Sequence, residues 1–112
     1  MKAPAYLDCC ENPEPTTLRT LYTSSHDLES LQRCASCDAY WFYRFHEWTN
    51  WATGEDDLTS WYAPLTEEEG VRLRDTPERA DMDLSFLVAR PGWMSDDEGA
   101  RRVTGMPDYP WS

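Results

Sequence analysis

Alternating apolar and polar positions predict antiparallel strands in the first half of the chain. Residues 16–23 alternate in this way, and the turn-forming stretch Ser-Ser-His-Asp follows them. Residues 28–33 are then expected to pair back as a second strand. Residues 39–51 carry aromatic side chains on both faces, which is typical of a central strand that is covered on both sides.

The second half of the chain carries turn signals and helix-capping signals instead. Residues 54–57 predict a turn, and residues 58–63 predict a short strand. Thr66 and Glu69 form a capping box that opens a short helix ending near residue 75. Residues 76–90 predict a second helix, and a further capping box at residues 95–98 opens a third that ends near residue 103. The apolar face of the second helix would consist of Ala80, Leu84, Leu87 and Val88.

Together these elements predict one α+β domain over residues 1–112. Residues 1–63 would form an antiparallel sheet of three to four strands. Residues 64–112 would contribute two to three short helices packed on that sheet, and an irregular tail. A chain of 112 residues buries a modest core, and its six tryptophans and six tyrosines would supply much of the buried area.

Four cysteines in two pairs are the strongest chemical signal. Cys34 and Cys37 are separated by two residues and precede the aromatic strand, whereas Cys9 and Cys10 are adjacent in a proline-rich stretch. Tetrahedral Zn²⁺ takes two thiolates from each of two segments, so we expect one Zn²⁺ bound by all four cysteines. An alternative ligand set replaces one of the adjacent cysteines by His26. In a further alternative no metal binds, and one of the adjacent cysteines is a small buried residue.

The expected compartment favours metal over disulfides. The N-terminus lacks the apolar segment of an export signal, and no apolar run reaches transmembrane length, which predicts a cytoplasmic location. Thiols stay reduced there, which disfavours the three disulfide pairings that four cysteines allow. Four thiolates would also close the zinc site, which predicts a structural ion rather than a catalytic one.

The turn Cys34-Ala-Ser-Cys37 and the aromatic strand after it resemble the zinc-ribbon class of small metal-binding proteins. The resemblance covers about residues 5–50, and it implies bound Zn²⁺ and a binding or scaffolding role. The adjacent pair Cys9-Cys10 departs from the usual ribbon pattern, in which a few residues separate the two cysteines. The acidic, tryptophan-rich chain with more arginine than lysine is also similar to small proteins of high-GC bacteria.

The charge of the chain indicates what kind of partner it binds. The net charge is −11, and residues 51–112 hold fourteen acids against six bases. This balance disfavours direct binding to nucleic acid or to an anionic membrane. It favours a basic protein partner, or it serves only to keep the chain soluble. We expect Glu55, Asp56 and Asp57 to contact that partner, with Tyr109 or Trp111 as an aromatic anchor.

These features predict a non-enzymatic zinc protein that acts through protein–protein interaction, as an adaptor, a regulator or an immunity-type inhibitor. One alternative is a small enzyme, or an enzyme subunit, that uses His46 and nearby carboxylates. Another is an acidic DNA-mimic protein that occupies a basic nucleic-acid-binding site. The sequence contains no phosphate-binding glycine loop, nucleophile elbow or zinc-protease motif, so no catalytic residue is assigned.

Overall fold

One antiparallel sheet organises the chain. The computed structural model describes residues 6–50, 55–96 and 99–105, without the side chains of residues 48–50 and 55–57. Within these ranges six strands lie in the sheet in sequence order: β1 (Pro15–Thr23), β2 (Asp27–Cys34), β3 (Tyr40–Asn50), β4 (Glu55–Leu65), β5 (Pro91–Asp96) and β6 (Gly99–Thr104). Every neighbouring pair is antiparallel, so the chain runs as a meander.

One α-helix and two 3₁₀ turns connect β4 to β5. Helix α1 spans Glu67–Asp75, and the 3₁₀ turns span Arg79–Asp81 and Ser85–Ala89. The Glu69 N–H donates to Thr66 Oγ1 at 3.1 Å, and the Thr66 N–H donates to the Glu69 carboxylate at 2.8 Å, which confirms the predicted capping box. Among the described residues, no helix has the length and apolar character that crossing a membrane requires.

The predicted fold class was wrong in its balance of strands and helices. Six strands and one α-helix are present in the described ranges, in place of three to four strands and two to three helices. The predicted helix over residues 76–90 is absent because its supposed apolar face is not buried as one stripe. Leu84 and Leu87, three residues apart, are buried, whereas Ala80 and Val88 are exposed. A spacing of three suits a 3₁₀ turn, which has three residues per turn.

The predicted helix over residues 95–103 was also wrong, because β5 and β6 form a hairpin there. Asp96 pairs with Gly99, and Gly99 has a φ of 110°, a conformation that favours glycine. Trp93 and Met94 pack into clusters on opposite faces of the sheet. Two neighbouring residues can be covered on opposite sides in a strand, and this placement overrides the local capping signal.

Strand β4 is longer than the predicted segment 58–63. The turn predicted at residues 54–57 was wrong for residues 55–57, whose backbone lies in β4 and pairs with the end of β3, from Asn50 opposite Glu55 to Trp48 opposite Asp57. Both strands of this hairpin have eleven residues. Their ladder therefore continues through the acidic stretch that local propensity assigns to a turn.

Two hydrophobic clusters pack on opposite faces of the sheet. The larger lies under α1 and the 3₁₀ turns, and its most buried members are Leu31, Phe42, Trp61, Ala63, Leu73, Leu84 and Leu87. In the smaller cluster, Leu7 packs against Trp41 and Tyr62. We call residues 6–14 the N-terminal segment; it covers the face of the sheet opposite α1. The aromatic strand β3 is thus covered on both faces, as its sequence predicts.

Candidate metal centre

The turn between β2 and β3 brings Cys34 and Cys37 together. Cys34 is the last residue of β2; its N–H donates to the Ala39 carbonyl at 2.8 Å, and its own carbonyl accepts the Asp38 N–H at 2.8 Å. Asp38 has a φ of 65°, a left-handed conformation that aspartate tolerates better than most residues. This tight reversal leaves Cys34 buried and Cys37 exposed at the end of the hairpin.

The N-terminal segment carries Cys9 and Cys10 to the same turn. Leu7 anchors its start, because this side chain is only 3% exposed beneath the sheet aromatics. The end of the segment is fixed by the Ala35 N–H, which donates to the Glu14 carbonyl at 2.9 Å. The irregular stretch between these two anchors therefore crosses the β2–β3 turn, and both of its cysteines face the other pair.

The four sulfur atoms form one cluster. All of them lie within 4.8 Å of one another, with 3.9 Å between Cys9 and Cys10 and 3.8 Å between Cys10 and Cys34. Zn–S bonds of about 2.3 Å in a tetrahedron place the sulfurs about 3.8 Å apart. A disulfide needs about 2.05 Å, and all four cysteines are free thiols. The spacing therefore fits one shared metal ion better than two disulfides.

Backbone N–H groups surround the sulfur of Cys34. Burial by itself raises the pKa of this thiol, but N–H groups of Glu14, Cys37 and Ser36 outweigh the burial and lower the pKa to about 6. The Glu14 N–H lies 3.3 Å from the sulfur. Cys34 is therefore mostly thiolate at neutral pH, and the thiolate is the form that binds metal.

Cys9 and Cys10, on the other side of the cluster, are protonated thiols rather than thiolates. Burial raises the pKa of Cys9 to about 12, against a smaller opposing effect of the Trp41 indole N–H. Burial also raises the pKa of Cys10, and hydrogen bonding to Cys37 and Cys34 adds to the rise. These two thiols keep their protons at neutral pH unless a cation replaces them. A divalent metal ion supplies the charge that makes a set of four thiolates stable.

Neither Glu14 nor Trp41 stood out in the sequence as part of a metal site. Glu14 acts through its backbone N–H, and that function leaves no mark on residue type. Trp41 is part of the aromatic run of β3 and is 1% exposed, so its pattern is that of a core residue. Both contributions depend on how the N-terminal segment folds over the sheet.

His26, the alternative ligand, lies at the other end of the β1–β2 hairpin. Cys34 pairs with Pro15 at one end of this hairpin, whereas His26 follows β1 in the turn beyond the pair Thr23 and Leu28. The intervening strand measures about 25 Å at the usual rise per residue. The four cysteines converge without an imidazole from this position.

The predicted partner-binding residues lie outside the described side chains. Glu55, Asp56 and Asp57 have backbone in β4, but the structure does not describe their side chains. Tyr109 and Trp111 lie outside the described residues altogether. Contact of these five residues with a partner therefore stays a prediction.

A second polar cluster lies further along β3 around His46, the residue on which the alternative enzyme interpretation depends; its partners Asp27 and Arg44 were not predicted. Asp27 Oδ1 contacts His46 Nδ1 and accepts a hydrogen bond from Nη2 of Arg44 at 3.0 Å. The Arg44 side chain is 4% exposed, and its guanidinium lies 4.9 Å from the centre of the Trp61 ring. Asp27 and His46 are direct partners across β2 and β3, so their contact becomes visible only when the strand register is known.

The cysteine cluster supplies all four ligands that a tetrahedral ion accepts. Such a closed site leaves no position for water or substrate, which is the arrangement of structural zinc rather than of catalytic zinc. Two separate segments bring the four sulfurs together, an arrangement that is consistent with the zinc-ribbon class. No protein-family model, no curated protein and no solved structure matches the chain. The assignment therefore rests on the geometry and chemistry of this cluster.

Proposed function

We propose that this protein binds one structural Zn²⁺ through Cys9, Cys10, Cys34 and Cys37, and that it acts by binding another protein. The single observation that supports the metal is the convergence of four free sulfurs within 4.8 Å. Zinc is favoured because it accepts four thiolates in a tetrahedron without redox change. A cytoplasmic location would keep these thiols reduced and able to bind metal.

Metal content tests the first half of this proposal. Elemental analysis of untagged, purified protein should find about one zinc per chain. The variant Cys10→Ser should lose most of that zinc, because it removes one ligand. Ser36→Ala lies in the same turn and keeps all four thiols, so it should retain the metal. The proposed zinc site would be refuted if the purified protein held no stoichiometric metal. It would also be refuted if Cys10→Ser and the parent held equal amounts of metal.

The charge of the chain supports the second half. Fourteen of the twenty-one acids follow residue 50, and the exposed acids of this half include Glu67, Glu78 and Asp81. A basic protein is the partner that such a surface attracts, and adaptor, regulator and immunity-type inhibitor roles are all consistent with it. Glu55, Asp56 and Asp57 remain the proposed contacts, with Tyr109 or Trp111 as the aromatic anchor.

Salt dependence tests the partner. Once affinity purification and mass spectrometry supply a candidate, its association rate should fall steeply as ionic strength rises. Neutralising residues 55–57 should slow association further. Duplex DNA that competes for the same partner would identify the protein as a DNA mimic rather than an adaptor. Association that is insensitive to both salt and these substitutions would contradict an acidic docking surface.

The pair Asp27 and His46 supports a second candidate function, a small enzyme. An aspartate that contacts Nδ1 holds the imidazole in one orientation, as in the base of many hydrolases. Glu29 lies nearby on β2, is 5% exposed and accepts a hydrogen bond from Arg79 at 2.8 Å. Hydrolysis of ester, amide or phosphate-ester substrates that disappears in His46→Ala would support catalysis. Equal rates in the parent and in His46→Ala would exclude a role for this histidine.

A further inference from the structure

We infer that the metal centre acts as a clasp: bound metal holds the N-terminal segment over an aromatic surface of the sheet, and metal removal releases it. The aromatic surface consists of Trp41, Tyr62 and Trp93. This inference rests on the proposed zinc site and adds a regulatory role to it. Metal occupancy then decides which surface the protein presents.

The N-terminal segment covers the aromatic surface with two side chains. Leu7 is 3% exposed and packs against Trp41 and Tyr62. The Tyr6 ring meets Tyr62 edge-on, with 6.2 Å between ring centres, and it lies 5.6 Å from the ring centre of Trp93. Removal of the segment would therefore expose three large rings that it now shields.

Between its two end contacts, which are Leu7 under the sheet aromatics and the Glu14 carbonyl that accepts the Ala35 N–H at 2.9 Å, the segment has weak means of holding this position by itself. It forms neither a helix nor a strand, so no ladder of backbone hydrogen bonds supports it. The ion pair between Asp8 and Arg102, at 3.4 Å, is exposed, and exposed pairs contribute little. Ordering nine residues loses conformational entropy, which the burial of Leu7 and Pro13 and the partial burial of Tyr6 and Cys9 offset only in part.

A metal ion at the cysteine cluster supplies the missing attachment. Cys9 and Cys10 belong to the segment, whereas Cys34 and Cys37 belong to the β2–β3 turn. The ion thus cross-links the segment to the sheet, and its binding energy stabilises the docked conformation. Loss of the ion removes this link between the segment and the sheet.

The sheet keeps its own core when the segment leaves. The larger hydrophobic cluster contains residues from the strands, α1 and the 3₁₀ turns, and none from the N-terminal segment. Strands β1 to β6 also pair with one another rather than with the segment. The segment is therefore a separate unit of low stability attached to a more stable sheet.

Hydrogen exchange followed by mass spectrometry tests the clasp on the whole chain. Zinc-loaded protein is compared with protein treated with a chelator, and zinc content is measured in both samples. The amides of Asn12 and Glu14, which donate to the sulfurs of Cys10 and Cys34, should exchange at least about tenfold faster after zinc removal, while amides of β3 and β4 change little. Quenching of tryptophan fluorescence by acrylamide should increase at the same time.

Two variants separate the metal from the other contacts of the segment. Cys10→Ser should exchange like the chelated protein even with zinc added. Asp8→Asn lies in the same segment, keeps all four thiols and removes the ion pair with Arg102, so it should match the parent. A segment that stays protected after zinc is lost would overturn the clasp, and so would simultaneous loss of protection in β3 and β4. Absence of zinc from the untreated protein would refute the proposed metal site itself, which the zinc measurement shows separately.

Discussion

Gly70 is a position at which helix propensity and packing predict opposite effects of the same substitution. It lies inside α1 and is buried against the ring of Tyr40 on β3. Propensity alone predicts that Gly70→Ala stabilises the helix by about 1 kcal/mol. A Cβ at this position, however, would lie 2.2 Å from Cγ of Tyr40 and 2.4 Å and 2.7 Å from its two Cδ atoms.

The size of the packing effect follows from these distances. Non-bonded carbon atoms prefer about 3.5–4.0 Å, so the ring or the helix must move by more than about 1 Å. The contact is at the root of the ring, and Tyr40 is 5% exposed, so the side chain cannot simply rotate into solvent. Overpacking of this kind costs about 2–3 kcal/mol. After the propensity gain, we expect Gly70→Ala to lower the free energy of unfolding by about 1–2 kcal/mol, or Tm by about 4–8 °C.

A double-mutant cycle isolates the contact. Urea denaturation is measured for the parent, Gly70→Ala, Tyr40→Ala and the double variant. Without the ring, the alanine should have its ordinary stabilising effect, so the sign of the Gly70→Ala change should reverse in the Tyr40→Ala background. A rise in Tm for Gly70→Ala in the parent, or the same effect in both backgrounds, would refute the packing argument.

Three further predictions concern α1 and the metal centre. Arg19→Gln should lower the free energy of unfolding, measured by urea denaturation, by about 2 kcal/mol. The reason is that Arg19 donates hydrogen bonds of 2.6–3.1 Å to four carbonyls at and beyond the C-terminal end of α1. An unchanged urea midpoint would contradict this role. Hydrogen bonding from Arg90 is the main cause that lowers the pKa of Glu69, so its contribution is present above the unfolded pKa of about 4.3 and is lost as pH falls through the folded pKa. The stability difference between the parent and Glu69→Gln should therefore be largest near neutral pH and shrink in acid, and a difference independent of pH would argue against the ion pair. Zinc binding at pH 7 should release at least two protons, those of Cys9 and Cys10, measured by calorimetry in buffers of different ionisation enthalpy. No release would mean that these thiols are not ligands.

The sequence determined those features that depend on neighbouring residues. The strands β1, β2 and β3 follow from local alternation, and each was predicted to within a few residues. The capping box at Thr66 and Glu69 was predicted because its two reciprocal hydrogen bonds lie within one turn of chain. The pair Cys34 and Cys37 was visible for the same reason, since a short turn fixes their distance.

Only the tertiary structure decided the second half of the fold. Residues 91–104 contain a capping signal that predicted a helix, yet they form the strands β5 and β6. Pairing of β5 with β4 covers Trp93 and Met94 on opposite faces, which no isolated helix can do. Long-range pairing therefore overrides the local preference, as it does for residues 55–57 in β4.

The cysteine cluster and the contact between Asp27 and His46 were likewise decided by the tertiary structure. The convergence of Cys9 and Cys10 with the other cysteines depends on Leu7 and Glu14, which dock the N-terminal segment more than twenty residues away in sequence from the β2–β3 turn. The contact of Asp27 with His46 depends on strand register, because a shift of one residue would place the two side chains on opposite faces. Sequence spacing fixes distances along the chain, whereas distances between segments are set by packing and pairing across the sheet.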